Sequence, residues 1–179
     1  VTGAFGKDAT LTGRSYLWAE GLAAARENPL FGRGYQAYWV HGFPEAERLW
    51  EEFYITARTG FHFHNTYVET MVELGAAGLV LLAVLLAGIV AGQLARLTRD
   101  RRDVTAQVLS GLVVMLLVRS LVEVDVITPY VVGSFLLYYA AGTAFGRLPA
   151  TADQRIRARG PNVFPPLPAD RFMRSGGAR

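Results

Sequence analysis

His62 and His64 stand one residue apart in the stretch FHFHNTYVETMVELGAAG (residues 61–78), with Asn65 next and a long uncharged run beyond. His64 could serve as a lone general base, since a neutral imidazole takes a proton from an attacking hydroxyl near neutral pH, an effect worth about 10²- to 10⁴-fold in rate. The competing reading is a cap or a headgroup contact at a helix entrance. A zinc site takes three or four ligands. Cysteine is absent, His41 is the only other histidine, and no carboxylate motif completes the set, so no metal is expected. Glu69 and Glu73, one helical turn apart, approach the separation used in retaining glycoside hydrolysis. Two side chains leaving one helix in the same direction cannot easily flank a sugar from opposite faces, however, and they are expected to orient a neighbouring base or bind polar headgroups. No G-x-S-x-G elbow and no G-x-x-x-x-G-K loop is present, which removes the usual signatures of a serine nucleophile and a phosphate cradle.

Two arginines complete the inventory. Arg14 carries a planar fork of donors suited to phosphate oxygens and stays charged in any environment, though a surface arginine can also be merely solvated. Arg119 interrupts an apolar run, where charge is costly and faces the protein interior or a water-filled cavity. Glu123 follows four residues later, on the same face of a continuing helix. The pair reads either as a structural ion pair near the outer end of a span or as a means of holding substrate.

The elements that would position these groups are set by hydropathy. About half of the 179 residues are apolar, and from Leu74 to Ala95 none is charged, enough to cross about 30 Å of hydrocarbon as a helix. A second apolar stretch runs from Val104 to Val118 and on past Arg119 to Val122, and a third from Val126 to Gly146. The net charge of +3 could suggest nucleic acid. The arginines have a better explanation: Arg96, Arg99, Arg101 and Arg102 fall between the first two spans, and Arg147, Arg155, Arg157 and Arg159 follow the third. The positive-inside rule places both groups in the cytoplasm and residues 1–65 outside. The expected fold is therefore an all-α integral membrane protein, with about three transmembrane helices in residues 66–148 preceded by a helical extracytoplasmic segment, residues 1–65. A Pro- and Arg-containing tail, residues 149–179, is expected to be disordered and cytoplasmic. The first residue is Val and nothing resembles a signal peptide, so the chain reads as the C-terminal piece of a larger polytopic protein.

Within the outer segment, residues 1–11 read as a loop. A helix is expected from Arg14 to Glu27, with Thr12 as its cap and Asn28-Pro29 closing it. The stretch NPLFGRGYQAYW then reads as a turn close to the membrane surface, built on Pro29, Gly32 and Gly34 and rich in interfacial aromatics. A second helix is expected over residues 44–55, its acids solvated and Leu49, Trp50, Phe53 and Tyr54 resting on headgroups or other helices. Asn65 is expected to cap the first span.

The spacing His64-Asn65, nine residues, Gly75, two residues, Gly78 resembles the histidine motif of the O-antigen ligase superfamily, which includes Wzy-type polymerases and exopolysaccharide production proteins. TLTGRSYLWAEGLAAARENPLFGRGYQAYW resembles the outer loop of that family, and VRSLVEVD the penultimate span of its exopolysaccharide members. The resemblance covers about Thr10 to Arg147. It implies an inverting, metal-independent membrane glycosyltransferase of GT-C-like fold in the bacterial inner membrane, needing no cofactor and no nucleotide sugar. A glycan would pass from a lipid-linked undecaprenyl-diphosphate donor to a glycan or lipid acceptor hydroxyl at the outer face. By the same resemblance His64 is the base and Arg14 contacts the diphosphate; Asn65, beside the histidine, and Arg119, the charge in the apolar run, are expected to bind substrate as well. The family is thought to use a second arginine from an earlier outer loop that this chain does not contain; Arg33 and Arg119 are the alternatives within it, and the chain alone is expected to be inactive. The rival class is a transporter or scaffolding subunit in which Arg119 and Glu123 mark a polar pathway.

Overall fold

The computed structural model describes residues 11–146, with side chains from Gly13 onward. The expectations for residues 1–10 and for the tail from Pro149 fall outside this range. Every regular element described is helical: α1 (Leu11–Ala25), α2 (Pro44–Glu52), α3 (Thr66–Arg99), α4 (Val104–Arg119) and α5 (Val132–Phe145).

The outer segment builds a core of its own. Leu17 from α1, Leu49 and Trp50 from α2, and Tyr38, Phe63 and Val72 are all buried together. The aromatics of the Gly-rich turn therefore divide. Tyr38 goes inside, whereas Phe31 and Tyr35 remain on the surface. α1 begins at Leu11, so Thr12 lies inside the helix rather than capping it. α2 begins with Pro44 in its first turn, where the missing N–H costs nothing, and Glu45 and Glu47 there oppose the positive helix end. It stops at Glu52, short of the expected Ile55, because Tyr54 takes φ +56°. Three of its four acids are paired rather than simply solvated: Glu47 and Glu51 meet Arg58, and Glu52 meets Arg48. Arg48 also bonds Glu20 and the Tyr16 hydroxyl, which ties α2 to α1.

α3 is 34 residues long and is the one described helix long and apolar enough to cross a membrane by length and composition. At Gly75 its backbone turns to φ +65°, ψ −162°, and the helix kinks. The Gly-rich turn sits in that kink. Ala76 N and Ala77 N donate to the carbonyls of Pro29 (2.8 Å) and Leu30 (3.0 Å), while Arg33 N and Gly34 N donate to the carbonyls of Val72 (2.9 Å) and Glu73 (2.8 Å). Backbone groups that a kink frees are thus satisfied by another segment instead of by water. The approach is too close for side chains: a Cβ on Gly32 would lie 2.3 Å from the Glu73 carbonyl carbon, and one on Gly75 would lie 2.4 Å from that of Leu30.

α4 and α5 have 16 and 14 residues, about 24 and 21 Å at 1.5 Å per residue, so each is shorter than the roughly 20 residues a full crossing takes. The helices expected to continue to Val122 and to begin at Val126 are separated by a non-helical connection, residues 120–131. Pro129 accounts for part of this, since it offers no N–H and disfavours helical geometry in the residue before it. Leu82, Leu86 and Ile89 of α3 pack against Leu109 and Val113 of α4 and Leu137 of α5. Further along, the Gln93 amide donates to the Ala140 carbonyl (2.9 Å) and to the Thr143 hydroxyl (2.8 Å), and the close approach of α3 and α5 at Gly92 leaves no room for a Cβ beside Ala144.

Candidate functional site

His64 is held by contacts that begin well away from it in sequence. Trp18 of α1 donates its indole N–H to the Phe63 carbonyl (2.9 Å), and Gly21 lets α1 approach Phe63 and Val68 so closely that an added Cβ would clash with both. On its other side the Phe63 N–H donates to Oε2 of the buried Glu69 (2.8 Å), whose Oε1 accepts the Trp39 indole N–H (3.0 Å). Glu69 therefore orients the segment that carries the imidazole, one of the two roles its position allowed. His64 itself has φ +51°, and its N–H donates to Nδ1 of His62 (3.1 Å). Left-handed geometry at a residue with a Cβ costs about 1–2 kcal/mol, which the surrounding contacts must outweigh.

Asn65 caps α3, its Oδ1 accepting from Tyr67 N (2.9 Å) and Val68 N (3.1 Å). Its amide also donates to the Leu121 carbonyl (3.0 Å). Thr66 adds two bonds to the same connection, N–H to the Ser120 carbonyl (2.9 Å) and hydroxyl to the Glu123 carbonyl (2.7 Å). The start of α3 and the segment after α4 are thereby fixed together, and Glu123 is presented to the histidine.

One carboxylate then joins the site. Glu123 Oε1 lies 3.4 Å from Arg14 Nη2, and Oε2 lies 3.5 Å from His64 Nδ1. All three side chains are about 30% exposed, so the group is reachable from solvent without being freely solvated. His64 Nδ1 is itself buried and makes no hydrogen bond; the Glu123 oxygen is at ion-pair range, a few tenths of an ångström beyond an ordinary bond. The His62 and His64 rings are 4.2 Å apart between centroids, and Phe61 meets His64 edge-on at 6.1 Å. Burial, reinforced by His64, pushes the His62 imidazole below its usual range, which favours the neutral ring that accepts the His64 N–H.

His64 and Arg14 are thus brought together, across 50 residues of sequence, through a residue whose role the sequence misassigned. α4 ends at Arg119, so the spacing of Arg119 and Glu123 is no longer one face of a helix. Arg119 instead donates from Nε to Asp125 Oδ2 (2.5 Å), is half exposed, and leaves Glu123 to the histidine. The available signal was the interruption of the apolar pattern by Glu123, Asp125 and Pro129. Arg33 pairs with Glu27, stacks on Phe43 at 4.7 Å and docks its backbone on α3. His62, His64 and Glu123 also offer ligand atoms within 4.8 Å of one another, so the carboxylate that the motif lacked is supplied by distant sequence. The Arg14 guanidinium already places positive charge against that carboxylate.

Residues 1–83 match the family described as O-Antigen ligase. The chain is 60% identical over 142 residues to the exopolysaccharide production protein ExoQ of Rhizobium meliloti (strain 1021), a match that covers 79% of this chain and 33% of the relative. The chain thus spans about a third of the length of that relative. No solved structure matches it significantly.

Proposed function

The chain belongs to the O-antigen ligase family, and from that premise we propose that it carries the base and a diphosphate-binding residue of an inverting glycosyltransferase in cell-surface polysaccharide biosynthesis. The donor is a glycan on undecaprenyl diphosphate and the acceptor a hydroxyl of another glycan or of a lipid. Transfer is an activity of the intact protein, and the chain alone is inactive.

The acceptor oxygen attacks the anomeric carbon from the face opposite the diphosphate and forms the new glycosidic bond. Its proton passes to His64, the bond from the anomeric carbon to the phosphate oxygen breaks, and undecaprenyl diphosphate leaves with the electron pair. Glu123 acts by position: at ion-pair range it faces the Nδ1 side of the ring, directs the other nitrogen towards the acceptor, and stabilises the imidazolium that forms. Arg14 is shared between Glu123 and the diphosphate, whose leaving charge its planar fork can bind at two oxygens. Asn65 serves by holding the entry to α3, and Arg119, half exposed at the outer end of α4, provides a further cation toward the anionic substrate. α3, α4 and α5 lie in the inner membrane of a multi-pass protein, with the site on the extracytoplasmic side. The arginines between α3 and α4 support that orientation. Neither nucleic acid nor a cofactor enters the scheme.

The observation that carries the reading is the meeting of His64 and Arg14 on the two oxygens of Glu123. His64→Ala in the full-length protein should abolish transfer with membrane insertion intact, and polymer output at the parent level would overturn the assignment.

A further inference from the structure

Beside the histidine lies a cavity of about 290 Å³, at the small end of the range for small-molecule sites, about 300–1,000 Å³. Tyr35, Trp39 and Phe61 supply aromatic walls, and Glu73 and Thr128 supply polar groups. His62 forms part of the lining, and its ring packs on His64. The cavity and the base therefore share a wall. Among the described residues neither lysine nor arginine lines the cavity, while Glu69 and Glu73 both do.

Resting on the glycosyltransferase reading, we propose that this cavity is the subsite for the sugar bearing the acceptor hydroxyl, and that it selects an uncharged pyranose. The chemistry follows from the lining. Aromatic rings offer flat apolar surface to the C–H faces of a pyranose, and carboxylate and hydroxyl oxygens bind its equatorial hydroxyls. Glu69 is fully engaged by Trp39 and Phe63, which makes it a support. Glu73 accepts the Gln36 backbone N–H and has a second oxygen in the carboxylate to offer a sugar hydroxyl. The Thr128 hydroxyl donates to the Val124 carbonyl (2.7 Å) and retains acceptor capacity. A uronic acid would find no counter-charge among the described lining residues to offset the desolvation of its carboxylate. A pyranose held here has its rim against His62, whose ring packs on His64. The Arg14 guanidinium is not among the lining residues, so acceptor sugar and donor diphosphate have separate places around one imidazole.

The test uses the full-length protein in nanodiscs without donor. Binding of methyl β-glucoside, methyl β-galactoside and methyl β-glucuronide is followed by tryptophan fluorescence, to which Trp39 in the wall contributes. At least one neutral glycoside should bind saturably, with the glucuronide about tenfold weaker or more. Glu73→Gln should weaken neutral binding about fivefold or more and narrow the gap to the glucuronide. Thr128→Val, close in shape to the parent, should also weaken neutral binding. In turnover, both variants should raise the acceptor KM with kcat within about twofold. Failure of both neutral glycosides to bind, or parent-like binding by both variants, overturns the subsite. His64→Ala separates the two proposals: it should bind the glycoside as the parent does while making no product. Should it still turn over while Glu73→Gln loses binding, the base assignment falls and the subsite stands.

Discussion

Oε2 of Glu123 lies 3.5 Å from Nδ1 of His64, on a segment that hydrogen bonds from Asn65 and Thr66 pin to the start of α3. The carboxylate thus reaches the imidazole by anchored backbone, and its other oxygen is occupied by Arg14.

If that carboxylate positions the base, Glu123→Ala should lower kcat about 100-fold or more, within the range that an effective general base is worth. Glu123→Gln keeps an acceptor for the Nδ1 proton and should lose about tenfold. Steady-state kinetics of the full-length protein decide it; a merely structural role would instead reduce the amount of folded protein and leave kcat per folded molecule unchanged.

Arg14→Lys retains a positive charge but replaces the planar fork with a point charge. Donor KM should rise, and kcat should fall by about tenfold. Activity equal to the parent would reduce Arg14 to a surface residue.

The kink in α3 makes Gly75→Ala an informative change. The new methyl group meets the Leu30 carbonyl, and the backbone pair φ +65°, ψ −162°, open essentially to glycine alone, itself costs an alanine about 1–3 kcal/mol. The Gly-rich turn should leave α3, which limited proteolysis reads as faster cleavage between residues 28 and 36. A parent-like cleavage rate would mean that the contact is not needed to hold the turn.

Lowering the pH should loosen the histidine segment. The folded protein keeps His62 neutral to a lower pH than an ordinary imidazole, near 6.5, so between these two values the unfolded chain binds more protons and stability is lost as the pH is lowered. Arg14 from α1 and His64 work with burial against protonation, whereas Glu123 and Asp125 favour it without reversing the direction. Thermal melts from pH 7 to pH 5.5 should show the fall. His62→Gln, which retains an acceptor for the His64 N–H, should reduce it, and an unchanged slope would remove His62 as its source.

The local features were legible in the sequence wherever one residue type at one place suffices. Asn65 capping α3, Pro44 opening α2 and the uncharged run from Leu74 follow from side-chain chemistry and hydropathy alone. The family resemblance placed His64 and Arg14, but it could not show their distance, which depends on Trp18 and Gly21 fitting α1 against the start of α3. Glu123 was misread because helical spacing was extended past the point where α4 stops. Glu69 looked like half of a carboxylate pair on one face, and only the tertiary structure reveals that Trp39 and Phe63 claim both of its oxygens. The third apolar stretch was read as wholly helical because hydropathy does not register where a backbone leaves the helix.

The seat for residues 29–34 is made of atoms from residues 72–77, which the ribosome delivers later. During synthesis the Gly-rich turn must therefore wait without its partner until the first turns of the long helix have followed it. The carboxylate that joins the histidine and the arginine arrives later still, so a chain stalled before Glu123 exists has no means of assembling the cluster.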